Sequence, residues 1–311
     1  MTASAAFARQ EKSTTVRTSR TSKEPPFALR AFRGGLGVLS RFAPEGAALV
    51  AEHVFLTPRR RARPDAERDL LREAHAVTLP TPHGYLAAWE WGTEGPRVLL
   101  VHGWEGRGAQ LGGIGTKLLQ MGFRVVTFDA PGHGDSSGMQ SSLFHFADAI
   151  ESAVALLGPF HAIVTHSMGG AAMLWANRPV PLAERLVMIA PPIDLRDFTR
   201  TLSRILGLPE DVRGRVHRRI GERFGVALED VQAPRIASTM HGPLLVVHDE
   251  EDRDVPIACG EAVANAWSGA ELVRTRGLGH HRILRDEATT DLIVRFVAQG
   301  AKPSDAPWEK V

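Results

Sequence analysis

From about residue 74 onward, short apolar runs recur between clusters of glycine, proline and polar residues. They are Ala76-Val77-Thr78-Leu79, Tyr85-Leu86-Ala87-Ala88-Trp89, Val98-Leu99-Leu100-Val101, Val125-Val126-Thr127-Phe128, Ala162-Ile163-Val164, Leu186-Val187-Met188-Ile189, Leu244-Leu245-Val246-Val247 and Leu272-Val273. Runs of this length and composition predict β-strands. The first two flank Pro82-His83-Gly84, a hairpin signal, so the sheet is expected to start antiparallel. The later runs alternate with segments of helical spacing at about 108–121, 142–157, 168–177, 256–267 and 286–298. Strand–helix alternation with fully apolar strands predicts an α/β fold: a mainly parallel twisted sheet with helices on both faces. One long gap, about 193–242, holds two helix-like stretches, Phe198 to Leu202 and Val212 to Phe224. It is expected to form a small helical cap inserted before the strand at Leu244.

The domain proper is therefore expected over 74–299, with the cap at 193–242 and a short tail at 300–311. Residues 1–28 lack apolar periodicity and predict a disordered tail. Their Arg- and Ser-rich, acid-poor composition is also that of an organellar transit peptide, while no signal-peptide core precedes the domain. Residues 29–73 form a helical extension. Within Phe27 to Leu56, Leu29, Phe32, Leu36, Leu39 and Phe42 recur at helical spacing with Arg30, Arg33 and Arg41 between them. Either this is a basic amphipathic helix in weak contact with a membrane surface, or it packs on the flank of the domain, interrupted at Gly34-Gly35. The second is preferred.

At 311 residues, 43% hydrophobic and 23% charged, the chain is long enough for a substantial core. No apolar stretch reaches the roughly 20 residues that span a bilayer. A single cysteine, Cys259, excludes an internal disulfide and a thiol metal cluster, and a cytoplasmic setting is expected. Net charge is only +2. The arginines gather at Arg59-Arg60-Arg61-Arg63 and at Arg213, Arg215, Arg218 and Arg219, without interleaved aromatics. Solvated helix faces explain them, and no nucleic-acid partner is expected.

Chemistry-bearing residues gather where the strands end. The strand at Ala162 to Val164 runs into Thr165-His166-Ser167-Met168-Gly169-Gly170, a sharp strand-to-helix turn that lifts a serine clear of the sheet. The strand at Val98 runs into His102-Gly103-Trp104-Glu105-Gly106, and the one at Val125 into Asp129-Ala130-Pro131-Gly132-His133-Gly134-Asp135-Ser136. Leu244 to Val247 leads to His248-Asp249-Glu250-Glu251-Asp252-Arg253-Asp254-Val255-Pro256, and Leu272-Val273 to Gly277-Leu278-Gly279-His280-His281. Ligand sites in such sheets lie beyond these carboxyl ends. Together and in this order, the segments resemble the α/β-hydrolase family over about residues 74–299, in its serine hydrolase branch. Thr165 departs from its G-x-S-x-G elbow, in the place of the first glycine; small residues substitute there in the family, so it is read as tolerated.

The resemblance implies Ser167 as nucleophile, Asp252 as orienting acid and His280 as base, in the chain order Ser…Asp…His. A serine needs a base within hydrogen-bond reach, and an acid on the other ring nitrogen fixes the tautomer. Asp194, after an earlier strand, is a second origin for the acid; Asp249, Glu250, Glu251 and Asp254 are expected to face solvent or cap the next helix. His281 competes with His280, which the adjoining glycines place in a mobile loop. His102, His133 and His166 are read as loop-holding, and no metal or cofactor is expected. The oxyanion hole is assigned to the N–H groups of Met168 and, by resemblance, Trp104, whose ring walls the acyl pocket or packs under the cap. The function implied is a serine hydrolase that cleaves a carboxylic ester or related small-molecule acyl substrate through an acyl-enzyme. The alternatives are thioester or carbon–carbon hydrolysis, or acyl transfer, on the same triad, and a non-catalytic interaction protein of this fold.

Overall fold

The computed structural model describes residues 27–178 and 181–301. Of the expected tails, residues 1–26 and 302–311 lie outside the described residues. In chain order the elements are α1 (Phe27–Phe42), α2 (Pro44–Leu56), α3 (Asp65–Arg72), β1 (His75–Thr81), β2 (Gly84–Trp91), β3 (Arg97–Val101), α4 (Gly112–Gln120), β4 (Arg124–Phe128), α5 (Leu143–Leu157), β5 (Phe160–His166) and α6 (Met168–Ala176). They continue with β6 (Ala183–Ile189), α7 (Leu195–Leu206), α8 (Glu210–Phe224), α9 (Ala233–Ala237), β7 (His241–Asp249), α10 (Ile257–Ala266), β8 (Ser268–Thr275), α11 (Gly279–Arg282) and α12 (Glu287–Ala298).

The strands form one eight-stranded sheet in the order β1-β2-β4-β3-β5-β6-β7-β8. β1 with β2 and β2 with β4 are antiparallel, and every later pairing is parallel. Parallel strands buried on both faces carry apolar residues at every position, and alternate side chains feed alternate layers. Leu99 and Val101 thus join one core with α2, α5, α6 and the cap, and Val98 and Leu100 join the other with α4 and α12. The gap between β6 and β7 holds α7, α8 and α9.

The helical N-terminal residues continue through Gly34-Gly35 and break instead at Ala43-Pro44. Each glycine costs a helix about 1 kcal/mol but keeps its N–H. Proline removes a donor and restricts the residue before it, so Pro44 restarts the helix as its first residue. Helix α2 packs on the cap: Phe55 meets Phe198 edge-on, with ring centroids 5.0 Å apart.

The arginines are more than solvated faces: Arg59, Arg61 and Arg218 stay largely exposed, yet each is paired with an acid. Glu52, 5% exposed, accepts from Arg219 Nε at 2.6 Å and from Arg223 at 3.3 Å, and Glu45 pairs with Arg215 and Arg218. The other group lies in the extended strap between α2 and α3. Arg60 donates to the carbonyls of Gly132, Gly134, Ser136 and Gly138 at 2.6–3.2 Å. Arg63 bridges Asp129 and Asp135 at 2.8 and 2.9 Å. Arg59 and Arg61 pair with Glu105 at 2.8 and 3.2 Å. One arginine fork can satisfy several acceptors at fixed angles, which suits it to pinning an irregular loop. Among the described residues no helix is long and apolar enough to cross a membrane.

Candidate active site

Ser167 stands between β5 and α6 with φ +52° and ψ −122°, a backbone conformation L-residues rarely adopt. Its N–H donates to Ile189 O at 2.9 Å, which ties the corner to the end of β6. Two close approaches require glycine here. A Cβ on Gly103 would lie 2.8 Å from Ser167 Cβ, and one on Gly169 would lie 2.6 Å from His102 O. Thr165 is accommodated inside the sheet, where its hydroxyl donates to Val187 O at 2.9 Å. Its Oγ1 would be 3.3 Å from a Cβ on Gly170, so a small residue across the elbow leaves it room.

His280 lies in the short helix α11 rather than in a loop, and it is 8% exposed. Its Nδ1 is 2.7 Å from Asp252 Oδ2. A carboxylate can only accept, so Nδ1 carries a proton, and in the neutral ring the lone pair is on Nε2. Asp252 is fixed from the other side by the N–H groups of Asp254 and Val255, at 2.8 and 2.9 Å on Oδ1. Desolvation pushes its carboxyl up, but the His248 and His280 imidazoles and the Val255 N–H outweigh that and hold it well below the usual carboxylate range. His248 Nε2 is 3.6 Å from Asp252 Oδ2 and gives its hydrogen bond to Val255 O at 2.9 Å.

The competing residues are placed elsewhere. Asp194 caps α7, accepting from Arg196 N at 2.8 Å and pairing with the Arg196 guanidinium. The His281 side chain is 75% exposed, with Nε2 3.7 Å from Asp254. Asp249 does not face solvent: it is buried, and accepts from Glu251 N, Thr275 Oγ1 and Leu278 N at 2.8–3.0 Å. It joins the acid-bearing turn to the segment leading into His280, a role with no signal in a run of four neighbouring acids. Asp252, Asp254 and His280 each bring one ligand-capable atom to within 4.8 Å of the others. The Asp252 oxygens are already engaged by N–H donors, the donor set of a carboxylate–imidazole pair rather than of a cation site.

The other histidines sit under the site. His102 Nε2 accepts from Ala130 N at 2.9 Å, and His133 Nε2 accepts from Glu105 N at 3.1 Å. His166 Nε2 donates to His280 O at 3.0 Å, and the two rings lie 4.6 Å apart. Burial lowers His102 to about 4 and His133 to about 3, so both act as neutral acceptors at neutral pH. Burial, then the neighbouring His280, holds His166 well below its ordinary value. Trp104 packs under the cap, its ring edge-on to His133 and to Phe198, with centroids 5.4 and 5.6 Å away. Glu105, the next residue, has φ +55°. Desolvation raises its carboxyl, and the Arg59 and Arg61 hydrogen bonds reverse the sign. Met168 opens α6, where a backbone N–H has no acceptor within the helix.

A strained serine at a strand-to-helix corner, a buried aspartate–histidine pair and a glycine-lined turn, all beyond the carboxyl ends of the parallel strands of one sheet, define a class. The chain belongs to the alpha/beta hydrolase family, whose sequence model matches residues 98–292. It is 28% identical over 250 residues to a pimeloyl-acyl-carrier-protein methyl ester esterase of Xanthomonas campestris, covering 66% of this chain and 96% of that one. It is 32% identical over 129 residues to an uncharacterized protein of Mycobacterium bovis, covering 39% of this chain and only 38% of the mycobacterial one. The fold is similar to that of a Pyrococcus furiosus esterase, with a TM-score of 0.60 and 18% identity over 78% of this chain and 98% of that one.

Proposed function

We propose that the protein is a serine esterase in which Ser167 attacks a carboxylic ester, His280 is the general base and Asp252 orients it. The observation that carries this is the buried 2.7 Å pair between His280 Nδ1 and Asp252 Oδ2, which the bond from His166 Nε2 to His280 O ties to the residue preceding Ser167. With Nδ1 engaged, Nε2 takes the Ser167 proton as Oγ bonds to the substrate carbonyl carbon. Negative charge moves to the carbonyl oxygen, where the N–H groups of Met168 and Trp104 receive it. The imidazolium then protonates the leaving alkoxide, the C–O bond breaks, and an acyl-Ser167 remains. Water repeats the sequence: His280 takes its proton, hydroxide oxygen bonds to the acyl carbon, and the proton returns to Ser167 as the acid leaves. The esterase named among the relatives supports the ester as substrate class. The test is labelling by a fluorophosphonate probe, with peptide mapping to Ser167, beside hydrolysis of p-nitrophenyl esters of graded chain length and of matched thioesters. Labelling at Ser167 with ester turnover is expected; an unlabelled folded protein would leave the triad assignment without support.

A further inference from the structure

Helix α1 has two apolar faces, and the body of the protein uses only one. Leu36 is buried and Leu39 half-buried against the domain. At 100° per residue, Phe27, Ala31, Val38 and Phe42 fall within about 60° of one another, centred about 150° from Leu36. Phe27 is 85% exposed, Val38 61% and Phe42 79%. Single exposed apolar residues are ordinary, whereas a continuous stripe marks an interaction surface.

The charges that α1 itself carries are of one sign. Exposed Arg41 falls on the flank of the stripe, and α1 itself contains no acidic residue. Where α1 meets α2, the acid Glu45 is shared by Arg215 and Arg218. The preceding residues 1–26 add five Lys and Arg against two Glu. We propose that this outer face of α1 docks on an anionic lipid bilayer, its phenylalanines entering the acyl boundary and its arginines meeting the headgroup phosphates. A second copy would bring the same cations, with no acid on its α1 to receive them. Residues 1–26 are of like charge to the helix and add to the attraction. Arg33 lies against Gly207 at the end of α7, and Phe198 of that helix touches Trp104. One layer of the cap therefore separates the docked helix from the candidate site. The docking surface stands independently of the esterase assignment.

The test is sedimentation of the full-length protein with vesicles of phosphatidylglycerol and phosphatidylcholine, against vesicles of phosphatidylcholine alone. Binding to the anionic vesicles that weakens with salt is expected. The combined variant Phe27→Ser, Val38→Ser, Phe42→Ser should bind about tenfold or more weakly. Its thermal midpoint should stay within about 2 °C of the parent, because the three side chains face away from the body. Arg41→Glu alone should weaken binding to anionic vesicles and leave the weak binding to neutral ones unchanged. Absence of binding to anionic vesicles, or equal binding by the triple variant, would overturn the proposal. So would a parent dimer that the triple variant converts to monomer, or vesicle binding that appears only after residues 1–26 are removed, since each names a different occupant of the face.

Discussion

Truncating Phe55 to alanine tests whether the N-terminal helices are an integral part of the folded domain. Phe55 is 4% exposed and meets Phe198 of the cap edge-on at 5.0 Å. Truncation of a buried Phe to Ala costs about 3–5 kcal/mol, within which the aromatic pair accounts for about 0.5–1.5 kcal/mol. At roughly 2 °C per kcal/mol for a chain of this size, about 4 kcal/mol lowers the thermal midpoint by about 8 °C. Phe55→Leu keeps most of the volume and should lose about 1 kcal/mol, or roughly 2 °C. Scanning calorimetry at fixed pH and scan rate reads both. The same Phe198 ring lies 5.6 Å from Trp104, so a cap loosened by Phe55→Ala should raise KM for esters several-fold more than it lowers kcat. Adding Phe198→Ala closes a double-mutant cycle, in which a coupling of about 1 kcal/mol is expected. A midpoint shift below about 2 °C for Phe55→Ala, with the protein still folded, would show that α2 does not rest on the cap in solution.

Ser167→Ala and His280→Ala should each abolish nearly all ester turnover, and the double variant should be hardly worse, because residues acting as one unit are non-additive; multiplied losses would refute their joint action. Asp252→Asn should lower kcat on the order of 10⁴-fold while leaving far-ultraviolet circular dichroism unchanged. Asp249→Ala leaves the N–H of Leu278 without its acceptor and should cost about 1–3 kcal/mol in urea unfolding together with a fall in kcat; full activity would show that the His280 segment holds its place alone. Acid should destabilise the fold, because His102 and His133 are lowered to about 4 and about 3. The unfolded chain takes up protons first, so their contribution is complete above about pH 6.5 and is lost as pH falls toward the folded values. Near pH 5 the slope is about 1.4 kcal/mol per pH unit for each imidazole. Stability measured in urea that stays flat from pH 7 to 4.5 would contradict their burial as neutral acceptors.

Apolar runs and turn residues made the sheet legible, because a strand buried on both faces must be apolar throughout. Val98 to Val101 and Ala162 to Val164 lie in one sheet, as the alternation required, and the structure pairs them directly. For the candidate site, the strand ends pointed to the neighbourhoods of Ser167, Asp252 and His280, the residues of the proposed triad. What choosing among neighbours needs is direction. Asp249 and Asp252 are three residues apart in one turn, yet one braces a loop and the other faces an imidazole. The helix breaks at Ala43-Pro44 and not at Gly34-Gly35 because glycines keep their N–H donors and a proline has none. The arginines of the strap escaped for a different reason. Their partners are backbone carbonyls and single acids far along the chain, and nothing local to Arg60 encodes the loop it holds.

That strap imposes an order on biosynthesis. Arg60 leaves the ribosome 78 residues ahead of Gly138, and Glu52 leaves it 167 residues ahead of Arg219. At about 5–20 residues per second, the first interval lasts roughly 4–16 s and the second roughly 8–33 s. During the longer one, the face of α2 that carries Ala47, Ala48, Ala51 and Phe55 is complete and has no cap to lie on. The partners of the strap arginines are therefore synthesised by residue 138, while Glu52 and the apolar face of α2 wait for α7 and α8. A chain stalled before α7 leaves that face of α2 without Phe198, its aromatic partner in the later segment.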